Sequence, residues 1–261
     1  MRPRDLLATA GAWSTFALTL CAFDPVLRVA RAFGEEPMDR AVSTMCRVLA
    51  GSIRAGLGRL EVEGLDRVPR NGRLLIVSNH QSLVESFLPL WFLDHLRPRY
   101  IAKRDMGRFI PAVSYNLRRA GHCLIDRGDR EQALEAIEGL GRRVAAGEVS
   151  ALIFPEGTRS ATGQLNEFKF AGLATLLRAA PHADVLPMVV HGGNLVFPRG
   201  RPRVRAGSTV RIRLLPVLRR REEDVDPVIE RVREVLTGTF EDLEARYGAG
   251  AGRGTAAFEV P

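Results

Sequence analysis

Residues 74–87 read LLIVSNHQSLVESF, and the junction in the middle of this stretch decides the fold. The first five, Leu74 to Ser78, are short, apolar and largely β-branched without polar alternation, the pattern of a strand buried on both faces. From Ser82 the apolar residues between Leu83 and Leu96 fit one face of a helix, and Ser82 with Glu85 three positions on has the form of a capping box. His80 therefore sits where a strand gives way to a helix, the place where open α/β sheets bind ligands. Two readings of the residues stay open: His80 and Glu85 as a catalytic pair, or a plain loop histidine beside a plain helix cap. One helix running through both would leave their side chains roughly 140° apart. A helix starting at Ser82 lets the chain turn back, so that the carboxylate can reach the imidazole.

The alternation continues along the chain. Strands are expected at Leu60 to Glu63, Leu74 to Ser78, Arg99 to Ala102, His122 to Asp126, Ser150 to Phe154, Val185 to Val190 and Val210 to Leu215. Helices are expected at Ser82 to Leu96, Phe109 to Ala120, Arg130 to Ala146, Phe168 to Ala180 and Val225 to Tyr247. The fold class is α/β, with a largely parallel central sheet flanked by helices and an N-terminal membrane-associated helical hairpin. Residues 1–58 form that hairpin, 59–247 the main domain, and 248–261, rich in Gly and Ala, a mobile tail.

The hairpin rests on two segments. Leu6 to Phe23 carries no charge and as a helix is about 27 Å long, nearly enough to cross a bilayer core. Its Thr, Ser and Gly make it only moderately apolar, and Asp24-Pro25 is expected to end it. A cleaved signal peptide is the rival, with Arg2 and Arg4 ahead of the run and Ala30-Arg31-Ala32 as a small-x-small site. Met38 to Leu57 is a second, amphipathic helix. Arginines on both sides of the first segment give no sense of crossing, which favours a hairpin dipping into one leaflet from the cytoplasmic face, with a helix packed against the main domain as the alternative.

The 261 residues carry 38 Lys and Arg against 30 Asp and Glu, a net charge of +8, so an anionic partner such as a membrane surface or a phosphorylated substrate is expected. Arginines cluster at 199, 201, 203 and 205, alternating as on one strand face, and again at 211, 213, 219, 220 and 221. No aromatic interleaving accompanies them, so nucleic acid is not the expected partner. The three cysteines, Cys21, Cys46 and Cys123, are odd in number and lack CxxC spacing, which excludes a disulfide framework and a zinc site. His95, His122, His182 and His191 stand singly and are read as surface or packed histidines.

Strand Ser150 to Phe154 runs into Pro155-Glu156-Gly157-Thr158-Arg159-Ser160. Pro155 stops the ladder, Gly157 permits a turn, and Arg159 offers a planar fork suited to phosphate, although a polar turn with a Glu156–Arg159 surface pair is the plain alternative. NHQSLVE and FPEGTRS together resemble the two signature blocks of the glycerolipid acyltransferases, the family of 1-acylglycerol-3-phosphate acyltransferase. YIAKRDM (100–106), AGHCLIDR (120–127), FKFAG (168–172) and VLPMVV (185–190) are similar to further blocks in the same order, so the resemblance covers about Leu60 to Leu215. Glu85 departs from the commoner Asp at its position.

The resemblance implies an O-acyltransferase moving a fatty acyl chain from acyl-CoA or acyl carrier protein to the free hydroxyl of 1-acylglycerol 3-phosphate, giving phosphatidate with no cofactor. It implies His80 as general base, supported by Glu85. Lys103, Arg127, Glu156, Gly157, Thr158 and Arg159 would hold the acceptor, with Lys103, Arg127 and Arg159 available for its phosphate; Glu156 would orient Arg159 or bind a hydroxyl. Histidine suits the task because its unperturbed pKa is near 6.5, and a carboxylate behind it fixes the tautomer. Another lysolipid, such as a lyso-aminolipid, is the alternative acceptor, and a non-enzymatic basic membrane-surface protein is the alternative of another class.

Overall fold

The computed structural model describes residues 2–200, 202–220 and 224–248. Residues 249–261 of the expected tail lie outside these, as do Arg201 and Arg221 of the arginine series. Seven strands make one sheet: β1 (Arg59–Glu63), β2 (Leu75–Ser78), β3 (Pro98–Lys103), β4 (Cys123–Ile125), β5 (Ser150–Ile153), β6 (Val185–His191) and β7 (Thr209–Leu214), in the order β1-β7-β6-β2-β5-β3-β4. Every neighbouring pair is parallel except β6 with β7. The described residues of 192–208 between those two strands contain a short 3-10 turn and no crossover helix, so the chain returns antiparallel.

β2 lies at the centre, and each of its faces meets a helical layer. Leu75 and Val77 pack in one core with residues of α5 (Arg130–Ala145), α6 (Ala171–Ala179) and α7 (Val225–Tyr247). Leu74 and Ile76 point the other way, into a core shared with α1 (Pro3–Ala32), α2 (Glu35–Ala55) and α3 (Leu88–Phe92). Burial on both faces explains the unbroken apolar run.

Three expectations change. The helix expected over Ser82 to Leu96 is broken into a 3-10 turn at Val84–Ser86, α3, and a second turn at Asp94–Leu96. Glu85 folds back onto its own loop, and Pro89 in the first turn of α3 starts a separate helix. α4 (Val113–Arg119) begins later than Phe109, because Phe109 and Ala112 have φ of 67° and 56°. α1 runs straight through Asp24-Pro25; Asp24 binds Arg28 and the Ala112 N–H, so tertiary contacts override the proline signal.

α1 is bonded to the sheet domain along its length. Besides Asp24, Asp5 accepts from Ala206 N and Thr9 from Val204 N, while Ala8, Ala12, Leu20 and Leu27 are buried in the shared core. α1 and α2 approach so closely that a Cβ on Gly11 would lie 2.3 Å from the Ala55 carbonyl oxygen. α2 is held in turn by Asp39, which accepts from Arg97 Nε at 3.0 Å and from buried Arg99 at 2.8 Å on both oxygens. Arg199, Arg203 and Arg205 lie in irregular chain, so their alternation places them on no strand face. Arg211 pairs with Glu61, and Arg213 with Glu63 and Asp242, so part of the apparent basic excess is neutralised by partners distant in sequence.

Asp39→Asn should therefore be costly, since it leaves the buried Arg99 guanidinium without its counter-ion. Breaking such a pair costs about 3–5 kcal/mol, readable by chemical denaturation; a loss below 1 kcal/mol would mean the pair does not tie α2 to β3.

Candidate active site

The C-terminal ends of β2, β5, β3 and β4 point to one edge of the sheet, and the loops that leave them carry the candidate residues. Asn79 follows β2 fully buried, donating through Nδ2 to Val190 O at 2.8 Å and accepting from Val190 N at 2.7 Å. It extends the β2–β6 pairing by side chain and fixes where the next residue leaves the sheet.

That residue, His80, is held by its backbone as well. Its N–H donates to Glu156 Oε1 at 2.6 Å, and its carbonyl accepts from Ser160 N at 2.7 Å. The second Glu156 oxygen accepts from Asn166 N at 2.8 Å. Glu156 thus clamps the two loops together, and among the described residues it makes no ion pair with Arg159. Burial raises its pKa above the ordinary carboxylate value, against the two N–H donors that favour its charge.

Glu85 is completely buried. Oε1 accepts from Gln81 N at 3.0 Å, and Oε2 accepts from Ser82 N at 2.9 Å and Ser82 Oγ at 3.0 Å. Ser82 Oγ accepts from Val84 N, so the capping pattern closes a loop and a 3-10 turn where a long helix was expected. The same Oε2 lies 3.7 Å from His80 Nδ1, an ion-pair distance longer than a hydrogen bond, and Nδ1 is buried with no hydrogen-bond partner among the described residues. Burial works against the Glu85 charge, but the imidazole and the N–H donors outweigh it and hold the pKa below the ordinary value. The cap and the approach of Glu85 to His80 therefore occur together in one arrangement.

The imidazole lies against the Phe154 ring, centroids 4.1 Å apart and planes 13° from parallel. Tyr100 continues the row at 6.2 Å from Phe154, and its hydroxyl donates to Glu85 O at 3.3 Å. On its other side Tyr100 stacks on His122, whose Nδ1 accepts from Tyr100 N at 2.9 Å. A Cβ on Gly193 would lie 2.6 Å from Ser82 Oγ and 3.3 Å from Glu85 Oε1, so only glycine leaves the carboxylate in place. Asn79, Tyr100, Phe154 and Gly193 were not singled out from the sequence. Their roles depend on contacts between separate strands, although the pair Gly192-Gly193 after a strand is a local sign of close approach.

Gly157 turns the chain with φ of 66° and its N–H bonds to Phe154 O, and the Thr158 carbonyl accepts from Asn166 Nδ2. Arg159 is partly buried; burial lowers its pKa, nearby Glu85 raises it and Arg199 lowers it. Its guanidinium makes no hydrogen bond among the described residues, while Arg199 donates to its carbonyl at 3.0 Å. Lys103 and Arg127 end β3 and begin the loop after β4, two and three strands from β2, which is roughly 10 and 14 Å along the edge. Lys103 pairs with Asp105 at 2.6 Å, and Arg127 is exposed. The other histidines stay apart from this cluster: His191 pairs with Glu244 at 2.8 Å, His95 approaches the Pro69 carbonyl, and His182 is exposed. Among the described residues no group of three or more His, Cys, Asp or Glu is placed to hold a metal.

The acyltransferase family model matches residues 59–191, half of the chain and the whole span from β1 to β6. The chain belongs to the acyltransferase family. Its relatives include the 1-acyl-sn-glycerol-3-phosphate acyltransferase of Cocos nucifera, 35% identical over 135 residues that cover 52% of this chain and 42% of that protein. The enzyme of the same name from Pseudomonas aeruginosa is 29% identical over 194 residues, 74% of this chain and 70% of its own. The chain spans about two fifths of the Cocos protein and 60% of the one from Limnanthes alba. The crystal structure of the 1-acyl-sn-glycerophosphate acyltransferase from Thermotoga maritima shares the fold, with a TM-score of 0.76, 22% identity and coverage of 94% and 98% of the two chains.

His122 makes a prediction about pH. Burial, with Arg99 and Arg143 nearby, lowers its pKa from 6.5 to about 3. Between those values the unfolded chain takes up a proton that the folded chain does not, so stability rises with pH across that window. From pH 5 to pH 7 the gain from this group is about 2 kcal/mol. Denaturant titrations at both pH values should show it in the wild type and not in His122→Gln; an equal pH dependence in both proteins contradicts the assignment.

Proposed function

We propose that the chain is an O-acyltransferase that moves a fatty acyl chain from acyl-CoA or acyl carrier protein to the free hydroxyl of 1-acylglycerol 3-phosphate, giving phosphatidate. The observation that carries this reading is His80, fixed at a strand end with Nδ1 facing a buried, ionised Glu85. In this reading Nε2 takes the hydroxyl proton as the acceptor oxygen attacks the thioester carbonyl. The new C–O bond forms, the C–S bond breaks as the tetrahedral intermediate collapses, and the proton passes to the departing sulfur. Glu85 keeps the proton of neutral His80 on Nδ1 and stabilises the imidazolium, and the 3.7 Å gap closes toward the roughly 2.8 Å of a charge-assisted bond as His80 becomes charged. Phe154, stacked on the ring, also favours the cation. No cofactor beyond the donor enters.

Glu85 acts on the charge of Arg159, and the Arg159 guanidinium, which makes no hydrogen bond among the described residues, fits the acceptor's phosphate. Lys103 and Arg127 extend the row of cations along the same edge. Glu156, Gly157 and Thr158 act through loop shape. The relatives' names support phosphatidate synthesis.

The protein works, in this reading, from the cytoplasmic face of a membrane. α1 is long and apolar enough to cross one, yet its inner side is built into the core, which supports a helix lying in one leaflet. Its outer side carries exposed Leu7, Leu18, Val29 and Phe33.

The test offers the purified protein, in vesicles, a labelled acyl thioester and a panel of lysolipids with and without phosphate. Transfer to 1-acylglycerol 3-phosphate is expected; preferred transfer to a lyso-aminolipid would reassign the acceptor, and no transfer to any would favour a membrane-surface binding protein. Arg159→Ala should raise KM for the phosphorylated acceptor roughly 10- to 100-fold, with a smaller effect on the donor. An equal effect on a phosphate-free acceptor would remove Arg159 from phosphate recognition.

A further inference from the structure

Phe109 is the most exposed large hydrophobic residue among those described, at 98%. It stands in the segment 104–112 that joins β3 to α4, and nothing in the proposed chemistry uses it. Its φ of 67° is a left-handed conformation that costs an aromatic residue free energy, and Ala112, three residues on, has a φ of 56°. The surroundings hold this shape: Ile110 N donates to Ser114 Oγ at 2.8 Å, Ala112 N to Asp24 Oδ1 at 2.7 Å, and Arg118 donates to Gly107 O. The segment is a built loop that presents an aromatic ring to the outside.

Its neighbours indicate what lies outside. Met106 is also exposed. Residues 103–119 contain five cations, Lys103, Arg104, Arg108, Arg118 and Arg119, against the single acid Asp105, which Lys103 already pairs. The loop also lies beside the exposed stripe of α1. Asp24 bonds Ala112, and the Arg28 guanidinium stands 4.7 Å from the Tyr115 ring centroid. Arg28 is about 80° around the helix from Leu18, on the flank of the apolar face.

We propose that this loop is a second membrane contact, with Phe109 and Met106 entering the acyl region of an anionic leaflet and Arg104 and Arg108 meeting its phosphate headgroups. It rests on the reading that α1 lies in that leaflet. An exposed apolar tip ringed by cations fits an anionic interface, where aromatic side chains and cations sit at the headgroup level. The contact sets the sheet edge that begins at Lys103 against the lipid surface, so an amphipathic acceptor can reach the site without leaving the membrane.

The test uses full-length protein with Cys21→Ser and one fluorescent label at Phe109→Cys, Leu18→Cys or, as a control behind the sheet, Glu138→Cys. Vesicles are phosphatidylglycerol with phosphatidylethanolamine, or phosphatidylcholine alone, each with a quencher on the acyl chains. The Phe109 and Leu18 labels should shift to the blue and be quenched in anionic vesicles, and the Glu138 label should not. Arg104→Glu with Arg108→Glu should weaken binding to anionic vesicles on the order of 30-fold. Quenching at Leu18 without quenching at Phe109 overturns the loop contact and leaves α1 in place. Quenching at neither position removes the α1 reading and the loop contact with it. A shift at Phe109 that grows with protein concentration in the absence of vesicles assigns the loop to a second copy of the chain and also overturns the proposal.

Discussion

Two buried carboxylates determine the local structure around His80. A carboxylate removed from water has to find donors for its oxygens, and Glu156 finds them in two backbone N–H groups from different loops, His80 and Asn166. One side chain thus joins the loop after β2 to the loop after β5. Glu85 does the same within its own loop, taking Gln81 N, Ser82 N and Ser82 Oγ. The imidazole is positioned from three sides: Asn79 bonded to β6, Phe154 beneath the ring, and the Glu85 oxygens beyond Nδ1. Remove either carboxylate and the loops lose the bonds that give them their shape.

The sheet makes this economical. Because β2, β5, β3 and β4 are parallel, their C-terminal ends and the loops that follow share one edge. Across these neighbouring strands His80 and Phe154, just past β2 and β5, Tyr100 within β3 and His122 just before β4 form a single row of rings. Tyr100 and Phe154 pack with the core that contains α1 and α2, so the row faces the side of the sheet that carries the apolar N-terminal helix. With α1 in a leaflet, as proposed, His80 would lie on the side of the sheet that faces the lipid, where a lysolipid acceptor would be held.

Much of the fold was legible because its strands are short runs, apolar at the centre and alternating in β1 and β7; all seven begin and end within two residues of their expected bounds. α7 spans Val225–Tyr247 as its periodicity indicates. The failures have two causes: contacts between residues far apart in sequence and, after Ser82, a local cap that ends the expected helix. Pro25 did not end α1, whose flank is held by Ala112 and the shared core. The long helix after Ser82 broke because the Glu85 side chain was drawn back into the loop. Arg211 and Arg213 looked unpaired, yet their acids come from β1 and α7. At the site, the residue types and order were readable, but the division of labour was not. Glu156 clamps two backbone N–H groups, a contact that the expected roles of orienting Arg159 or binding a hydroxyl did not include, and only the folded chain shows Gly193 lying against the Glu85 carboxylate.

The central claim is that Glu85 serves His80 electrostatically as well as shaping the loop. Glu85→Gln separates the two roles imperfectly in stability, because an amide NH2 would face one of the N–H donors that now bond the carboxylate, at a cost of about 1–3 kcal/mol. Turnover measured well below the melting temperature of the variant is the direct test. In a protein that stays folded, kcat should fall by about 10²- to 10⁴-fold, with partial recovery in Glu85→Asp, which restores the charge. A folded Glu85→Gln protein with wild-type turnover would contradict the claim and would reduce Glu85 to a loop cap.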